Sequence, residues 1–362
     1  MLYVAMLLLS FAVTFVTTPV SRQLAYRLGA IDAPKELGIH RDPVPRAGGV
    51  AIYLGWLAGI VAGGVVVGFA EAPPLLWLGT ILAGTSILVL GLIDDVRGLS
   101  PLARLVGQIA TGIVLLVAGV AAHILPPIWL DLAVSLIWFV ALTNALNFLD
   151  GMDGLAAGVA IVAASFFAAL AAIQGNTLAL AFAAALIGSA LAFLRFNVFP
   201  ASIFMGDGGS LFLGSQLAIL GVTVAQGQTS VAWPLASLLV LGVPLLDGLG
   251  AIVRRLRSRR SLFDGDRRHS YDLIFARGLS HAATVRVMWL LTALAGLCAV
   301  FLVQQPWSIQ SAVVVTSFVA GAVALSAWLG LFSPAGPARP GGDQVRKVSE
   351  RRVLQNGSIK KA

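Results

Sequence analysis

The sequence predicts an all-α polytopic membrane protein of about 10–11 transmembrane helices, with the N-terminus outside and the C-terminus in the cytoplasm. Three observations predict it. Apolar residues make up 58% of the chain and charged residues only 11%, which does not describe a soluble domain. The apolar residues gather in about eleven continuous runs of ~18 residues or more, not in the short alternating strands of a β-barrel. All 24 Lys and Arg residues fall in the breaks of one face or at their edges, so the positive-inside rule makes those breaks cytoplasmic.

The first run, 2–20, has no basic leader and no small-residue cleavage site, and Arg22 and Arg27 follow it, so it is expected to be retained as a span. The next break holds His40, Arg41 and the segment Pro43-Val-Pro-Arg-Ala-Gly-Gly49, whose prolines and paired glycines predict a fixed bend returning to the membrane. Runs 48–70 and 75–93 are separated by Glu71-Ala-Pro-Pro74, and the second closes on Asp94, Asp95 and Arg97. Then come 103–122, 128–148, 155–174 and 177–194, the last pair joined by Gln174-Gly-Asn176. Runs 209–227 and 231–253 follow, then a long basic break, then 285–303 and 309–332 joined through Gln304-Gln-Pro306. Residues 1–332 read as one integral membrane domain. Residues 333–362, opening with Pro334, Pro337 and Pro340 and ending basic, read as a disordered cytoplasmic tail that touches anionic lipid.

The net charge of +8 is explained by orientation and by attraction to membrane lipid or an anionic substrate, and does not indicate nucleic acid. Cys298 is the single cysteine, so no intrachain disulfide or Cys-based metal site is available. The 39 glycines suit close helix packing in lipid.

The acidic residues locate the chemistry. Of 16, only Glu71 and Asp131 fall on the outer side and Asp247 alone lies well within a span; the rest sit at inner helix ends and loops. Carboxylates gathered at one water–lipid boundary point to a divalent-metal site for a substrate with one polar and one lipid end, because hard cations such as Mg²⁺ take a few carboxylates plus substrate phosphate. A lone Asp at a helix end is commonly a cap. Adjacent Asp94 and Asp95 repel each other unless a cation is near, and Arg97 offers one. Asn144, Asn147 and Asp150 repeat every third residue and share one drifting helix face, before Gly151 and Gly154 break the helix near Asp153. Gly206-Asp-Gly-Gly-Ser210 opens a span where free N–H groups favour anions, so it reads either as a turn or as a diphosphate cradle beside a metal-holding Asp207. Phe204 offers an aromatic face to a nucleobase or packs in the core. In the long break, Arg254, Arg255, Arg257, Arg259 and Arg260 read first as an orientation signal against anionic lipid heads. His269, between Arg268 and Tyr271, is set to reach a diphosphate.

In order and spacing these segments resemble the polyprenyl-phosphate N-acetylhexosamine-1-phosphate transferase family, relatives of the phospho-MurNAc-pentapeptide transferase of peptidoglycan synthesis, over about residues 15–330. The resemblance rests on Pro43 to Gly49, Gly91-Leu-Ile-Asp-Asp95, Asn144 to Gly154, Asn197-Val-Phe-Pro-Ala201 with Phe204 to Ser210, and the His269 loop. It implies a bacterial inner-membrane enzyme with its site facing the cytoplasm. Such an enzyme transfers N-acetylhexosamine 1-phosphate, GlcNAc 1-phosphate first among the candidates, from a UDP-sugar to undecaprenyl or another polyprenyl phosphate and releases UMP. It further implies Mg²⁺, or Mn²⁺ in its place, on Asp207; Asp94 and Asp95 beside the lipid phosphate; a nucleotide and metal pocket of Asn147, Asp150, Asp153, Asn197 and Phe204; and Arg41 and His269 facing the diphosphate. Asn144 and Arg268 are counted with the substrate-binding residues, and the resemblance allows a homodimer. Many members carry three histidines in the last loop, whereas this chain has His269 followed by Tyr271 and Asp272. That pattern leaves open a donor carrying another N-acetylated or deoxy hexosamine. A transporter or flippase is the rival of another class. It predicts ionisable groups near the midplane, where only Asp247 lies.

Overall fold

A computed structural model describes residues 1–32, 43–67, 74–261 and 268–333. The chain forms α1 (Leu2–Leu28), β1 (Ile31–Asp32), β2 (Val44–Pro45), α2 (Gly48–Val67), α3 (Pro74–Arg97), α4 (Pro101–Val117) and α5 (Ile128–Phe148). It continues with α6 (Leu155–Gln174), α7 (Thr177–Asn197), α8 (Gly206–Ala225), α9 (Ala232–Val240), α10 (Gly242–Arg257), α11 (Ser270–Ala276), α12 (His281–Gln304) and α13 (Ile309–Leu329). The two strands pair antiparallel, Ile31 against Pro45, and pin the return of the chain into α2. Arg41, Glu71 and the tail from 334 onward lie outside the described residues.

Among the described residues nine helices are long and apolar enough to cross a membrane, and the pair α9 and α10 adds a tenth, bent by 72°. The run expected as one straight span over 231–253 is therefore broken. Pro244 lacks the N–H that would bond the carbonyl of Val240, and Gly242 follows the break directly, so the helix restarts instead of continuing. The run expected over 103–122 yields only α4, an apolar helix of 17 residues that ends before Gly119, whose φ is +89°. The long basic break is also partly helical: α10 runs on to Arg257 and α11 forms a further short helix.

The bundle is built around α8. Its apolar window is 100% buried, against 17% for α13 at the rim. Glycine makes this burial attainable, because backbones meet directly. A Cβ on Gly91 of α3 would lie 2.5 Å from the Gly208 Cα, and one on Gly49 of α2 would lie 2.3 Å from the Gly209 N. In lipid, where no hydrophobic force draws helices together, such contact and interhelical hydrogen bonds supply the association. The Trp138 indole of α5 donates to the Ala218 carbonyl of α8 at 3.0 Å, and Phe212 of α8 meets Trp56 of α2 edge-on at 5.3 Å.

At the end of the bundle where α5 finishes, arginines hold the end of α13. Arg254 donates to the Leu331 carbonyl, Arg257 to that of Phe332 at 2.9 Å, and Arg277 to that of Trp328 at 3.0 Å. Arg254 and Arg255 are buried, and Arg255 lies over the Phe148 ring at 5.6 Å. The expected contact of these two with anionic lipid heads is thus corrected: Arg254 caps a carbonyl at a helix C-terminus, where cations are favoured, and Arg255 packs inward on an aromatic ring.

Candidate active site

α3 ends and α8 begins side by side, and this fixes the first part of the site. Asp95 accepts the backbone N–H groups of Asp207 at 2.9 Å and Gly208 at 3.0 Å, one on each carboxylate oxygen. These are N–H groups without partners inside α8, so a residue 112 positions away acts as the cap of the central helix. Gly206 sits against this carboxylate with φ at +70°, and a Cβ there would meet Asp95 Oδ2 at 2.6 Å. The glycine-rich start of α8 is consequently not an open diphosphate cradle. Asp95 fills it, and Gly208 and Gly209 serve the packing against α3 and α2.

Asp207 stands in the first turn of α8. Its Oδ1 accepts from Asn147 Nδ2 at 2.7 Å, and the same amide donates to Ser210 Oγ at 2.9 Å. Arg104 of α4 reaches in from the other side, 3.0 Å from Asp94 Oδ2 and 3.8 Å from Asp207 Oδ2. Asp94 Oδ1 also accepts the Leu99 N–H at 2.7 Å, which sets the turn from α3 to α4. Two carboxylates from different helices thus converge on one cationic nitrogen.

The turn after α5 supplies Asp150. Burial pushes its carboxyl well above the ordinary carboxylate range; the charges of Asp207 and Asp95 push the same way and Arg46 opposes them. The turn is tied to the loop before α8. Asp153 Oδ2 accepts the Ala201 N–H at 2.9 Å, while Asn197 accepts the Gly154 N–H at 3.0 Å and donates to the Ile203 carbonyl at 3.1 Å. Phe204 donates its N–H to the Pro45 carbonyl at 2.8 Å and bridges Arg46, which is itself paired with Asp32 at 2.9 Å. Asp153, Asn197 and the Phe204 backbone therefore hold the frame in which Asp150 and Asp207 sit.

His269 caps α11 beside the same turn. Its Nδ1 lies 2.5 Å from Asp247 Oδ2 of α10, and its ring stacks on Tyr271 at 5.6 Å and meets Phe148 at 5.5 Å with a 30° tilt. The imidazole is buried.

Of the residues expected from sequence, Asp94, Asp95, Asn147 and Asp207 come together directly, and Asp150 lies close enough to feel the charges of Asp207 and Asp95. Asn144 does not join them: it exchanges hydrogen bonds with Gln108 of α4 at 2.7 and 3.2 Å and so joins α4 to α5. Arg268 runs toward Gly330 at the end of α13. Sequence reasoning missed Arg104 and Arg46 as the cations among the carboxylates, and Gln108 as the partner of Asn144. Arg104 carries a readable signal, since it stands one turn into a helix that starts just after the Asp94-Asp95 pair.

Among the described residues no three His, Cys, Asp or Glu side chains form a closed metal cage. Mg²⁺ commonly keeps waters and takes one or two carboxylates plus phosphate oxygens. The position where Asp94 Oδ2 and Asp207 Oδ2 approach Arg104 is an oxygen pair already directed at positive charge.

The family model described as glycosyl transferase family 4 matches residues 77–225, which contain the Asp94-Asp95 pair, the Asp150 turn and Asp207. The chain is 32% identical over 305 residues to a probable undecaprenyl-phosphate N-acetylglucosaminyl 1-phosphate transferase of Bacillus subtilis, covering 82% of this chain and 83% of that protein. It is 37% identical over 315 residues to the decaprenyl-phosphate N-acetylglucosaminephosphotransferase of Mycobacterium tuberculosis, covering 76% of each. To the undecaprenyl-phosphate alpha-N-acetylglucosaminyl 1-phosphate transferase of Escherichia coli K12 it is 28% identical over 290 residues, 76% of this chain and 77% of that one.

Proposed function

Since the chain belongs to glycosyl transferase family 4, among the polyprenyl-phosphate N-acetylglucosamine-1-phosphate transferases, we propose that it transfers GlcNAc 1-phosphate from UDP-GlcNAc to a polyprenyl phosphate in a bacterial inner membrane. A phosphate oxygen of the lipid attacks the phosphorus next to the sugar, the bond to the bridging oxygen breaks, and UMP leaves with the electron pair. The observation that carries this reading is the meeting of Asp94, Asp95, Asp150 and Asp207 with Arg104 and Arg46 at the helix ends of an apolar bundle. A polar head reacts there while its tail stays in lipid. The basic residues at the same end support a cytoplasmic site by the positive-inside rule. The relatives' names support GlcNAc as the donor sugar.

Phosphoryl transfer is mainly positioning and charge neutralisation. Asp207 and Asp94 would hold Mg²⁺, which when bound neutralises the diphosphate. Arg104 balances the two carboxylates before substrate enters. Asn147 fixes the orientation of Asp207 through its Oδ1. The lipid phosphate has a second pKa of about 6 by analogy with phosphate monoesters, so it is largely ionised at neutral pH and needs no strong base. Asp95, with both oxygens on α8 N–H groups, therefore acts as a positioning residue and not as a nucleophile or base. Asp150 retains a proton more readily than an ordinary carboxyl and so places less negative charge before two incoming phosphates. His269 donates to the diphosphate from the edge of the same turn.

The test is UMP release by purified protein in detergent with undecaprenyl phosphate, with Mg²⁺ or with EDTA, across a panel of UDP-N-acetylhexosamines. Release that requires lipid, metal and UDP-GlcNAc is the expected result. Release with a different sugar moves the donor assignment, and none with any donor in folded protein removes the transferase reading.

A further inference from the structure

Asp247 is the acidic residue set deep in an apolar run, and the reaction above gives it no part. It lies in α10 beyond the 72° bend and is 1% exposed. A carboxylate so placed is costly unless each oxygen finds a donor. Both do: Oδ2 meets His269 Nδ1 at 2.5 Å and Oδ1 accepts the Ser270 N–H at 2.6 Å. The imidazole is held on other sides as well. Asp272 accepts the His269 main-chain N–H at 3.1 Å, and the Tyr271 hydroxyl donates to the Phe148 carbonyl at 3.3 Å, which ties together the two residues whose rings contact the imidazole. Gly151 lets this clamp sit against the Asp150 turn, for a Cβ there would lie 1.9 Å from the Tyr271 oxygen.

We infer that Asp247 is a positioning residue for His269, fixing Nδ1 as the buried donor so that Nε2 is the nitrogen that meets the donor diphosphate. The inference rests on the assignment of His269 to the diphosphate. An ionised carboxylate only accepts hydrogen bonds, so the proton between the two groups sits on Nδ1 and the tautomer is set. Carboxylates that orient a metal-bound imidazole change activity by about 10–100-fold when removed, and the same geometry sets the scale expected here. The transporter reading of Asp247 loses its ground, since the carboxylate is bound to the inner loop.

The experiment is a double-mutant cycle on full-length protein in detergent, reading kcat/KM for UDP-GlcNAc at saturating undecaprenyl phosphate and Mg²⁺. His269→Gln is expected to lose about 100-fold or more, in the range of a lost acid–base or donor group. Asp247→Asn is expected to lose about 10–100-fold. The double variant should fall no lower than His269→Gln by more than about twofold, because nothing remains to be positioned. The KM for undecaprenyl phosphate should stay unchanged. Equal loss from Asp247→Asn with and without His269 overturns the positioning role while leaving the diphosphate assignment standing. Near-normal activity of His269→Gln overturns both. Should Asp247→Asn fail to fold, Ser270→Pro removes one donor to Asp247 at the first position of α11, where proline is tolerated. Its severalfold loss should vanish in the His269→Gln background; persistence there overturns the proposal.

Discussion

Asp131 and Asp207 occupy the same local position, the first turn of an apolar helix, at opposite ends of the bundle. Asp131 is 1% exposed, and its oxygens accept three consecutive backbone N–H groups, from His123 at 2.9 Å, Ile124 at 2.8 Å and Leu125 at 3.2 Å. The Asp207 side chain is 35% exposed and is held by side chains alone, Asn147 from α5 and Arg104 from α4. The difference teaches how to tell a cap from a site. A carboxylate spent on neighbouring backbone completes a turn, whereas one suspended between side chains of separate helices keeps an oxygen for a cation or substrate. Asp95 shows that proximity is not the criterion, for it touches Asp207 and is still a cap.

The comparison breaks most visibly if the two aspartates respond alike to substitution. Asp207→Asn should lower turnover by about 10²–10³-fold, as loss of a transition-state charge partner does, with little change in thermal stability. Asp131→Ala should do the reverse: three N–H groups lose their acceptor, unfolding becomes easier by about 2–3 kcal/mol, and turnover per folded molecule holds. A denaturation series in detergent alongside the UMP assay reads both.

A smaller effect sharpens the same distinction within α5. Asn147 serves Asp207, while Asn144 serves Gln108. Asn144→Leu together with Gln108→Leu should cost about 0.6–2 kcal/mol of stability, the range for interhelical polar pairs in membranes, and leave KM for UDP-GlcNAc unchanged. Asn147→Leu should instead lower turnover. A shift of KM in the Asn144 and Gln108 double variant would return Asn144 to the substrate pocket.

The smallest effect concerns pH. The Asp150 carboxyl is raised by burial and by its acidic neighbours, so it stays protonated to higher pH than an ordinary Asp. A cation bound nearby favours the ionised form and expels that proton, so Mg²⁺ affinity should rise as pH rises through the raised range. Asp150→Asn should flatten the slope. Calorimetry in two buffers of different ionisation enthalpy checks the proton release directly.

The spans were legible because each is a long apolar run, and the acidic helix ends because charge stops such a run. The break between α9 and α10 was written in Gly242 and Pro244, yet the hydropathy of 231–253 is uninterrupted and masks it. Part of the site was less legible for a physical reason. That Asp95 caps α8 depends on Gly91 meeting Gly208, a packing event between helices more than a hundred residues apart. The partner of Asp247 is 22 residues away across a basic loop, where no periodicity links them. Likewise Asn144 and Asn147 share a helix face, but only the positions of α4 and α8 decide which of them reaches Asp207.

The most direct test of the central claim is Mg²⁺-dependent UMP release by Asp207→Asn and Asp131→Asn, each compared per folded molecule with the unaltered protein. Asp207→Asn is expected to lose about 10²–10³-fold while Asp131→Asn keeps its turnover. Near-normal turnover in Asp207→Asn would contradict it.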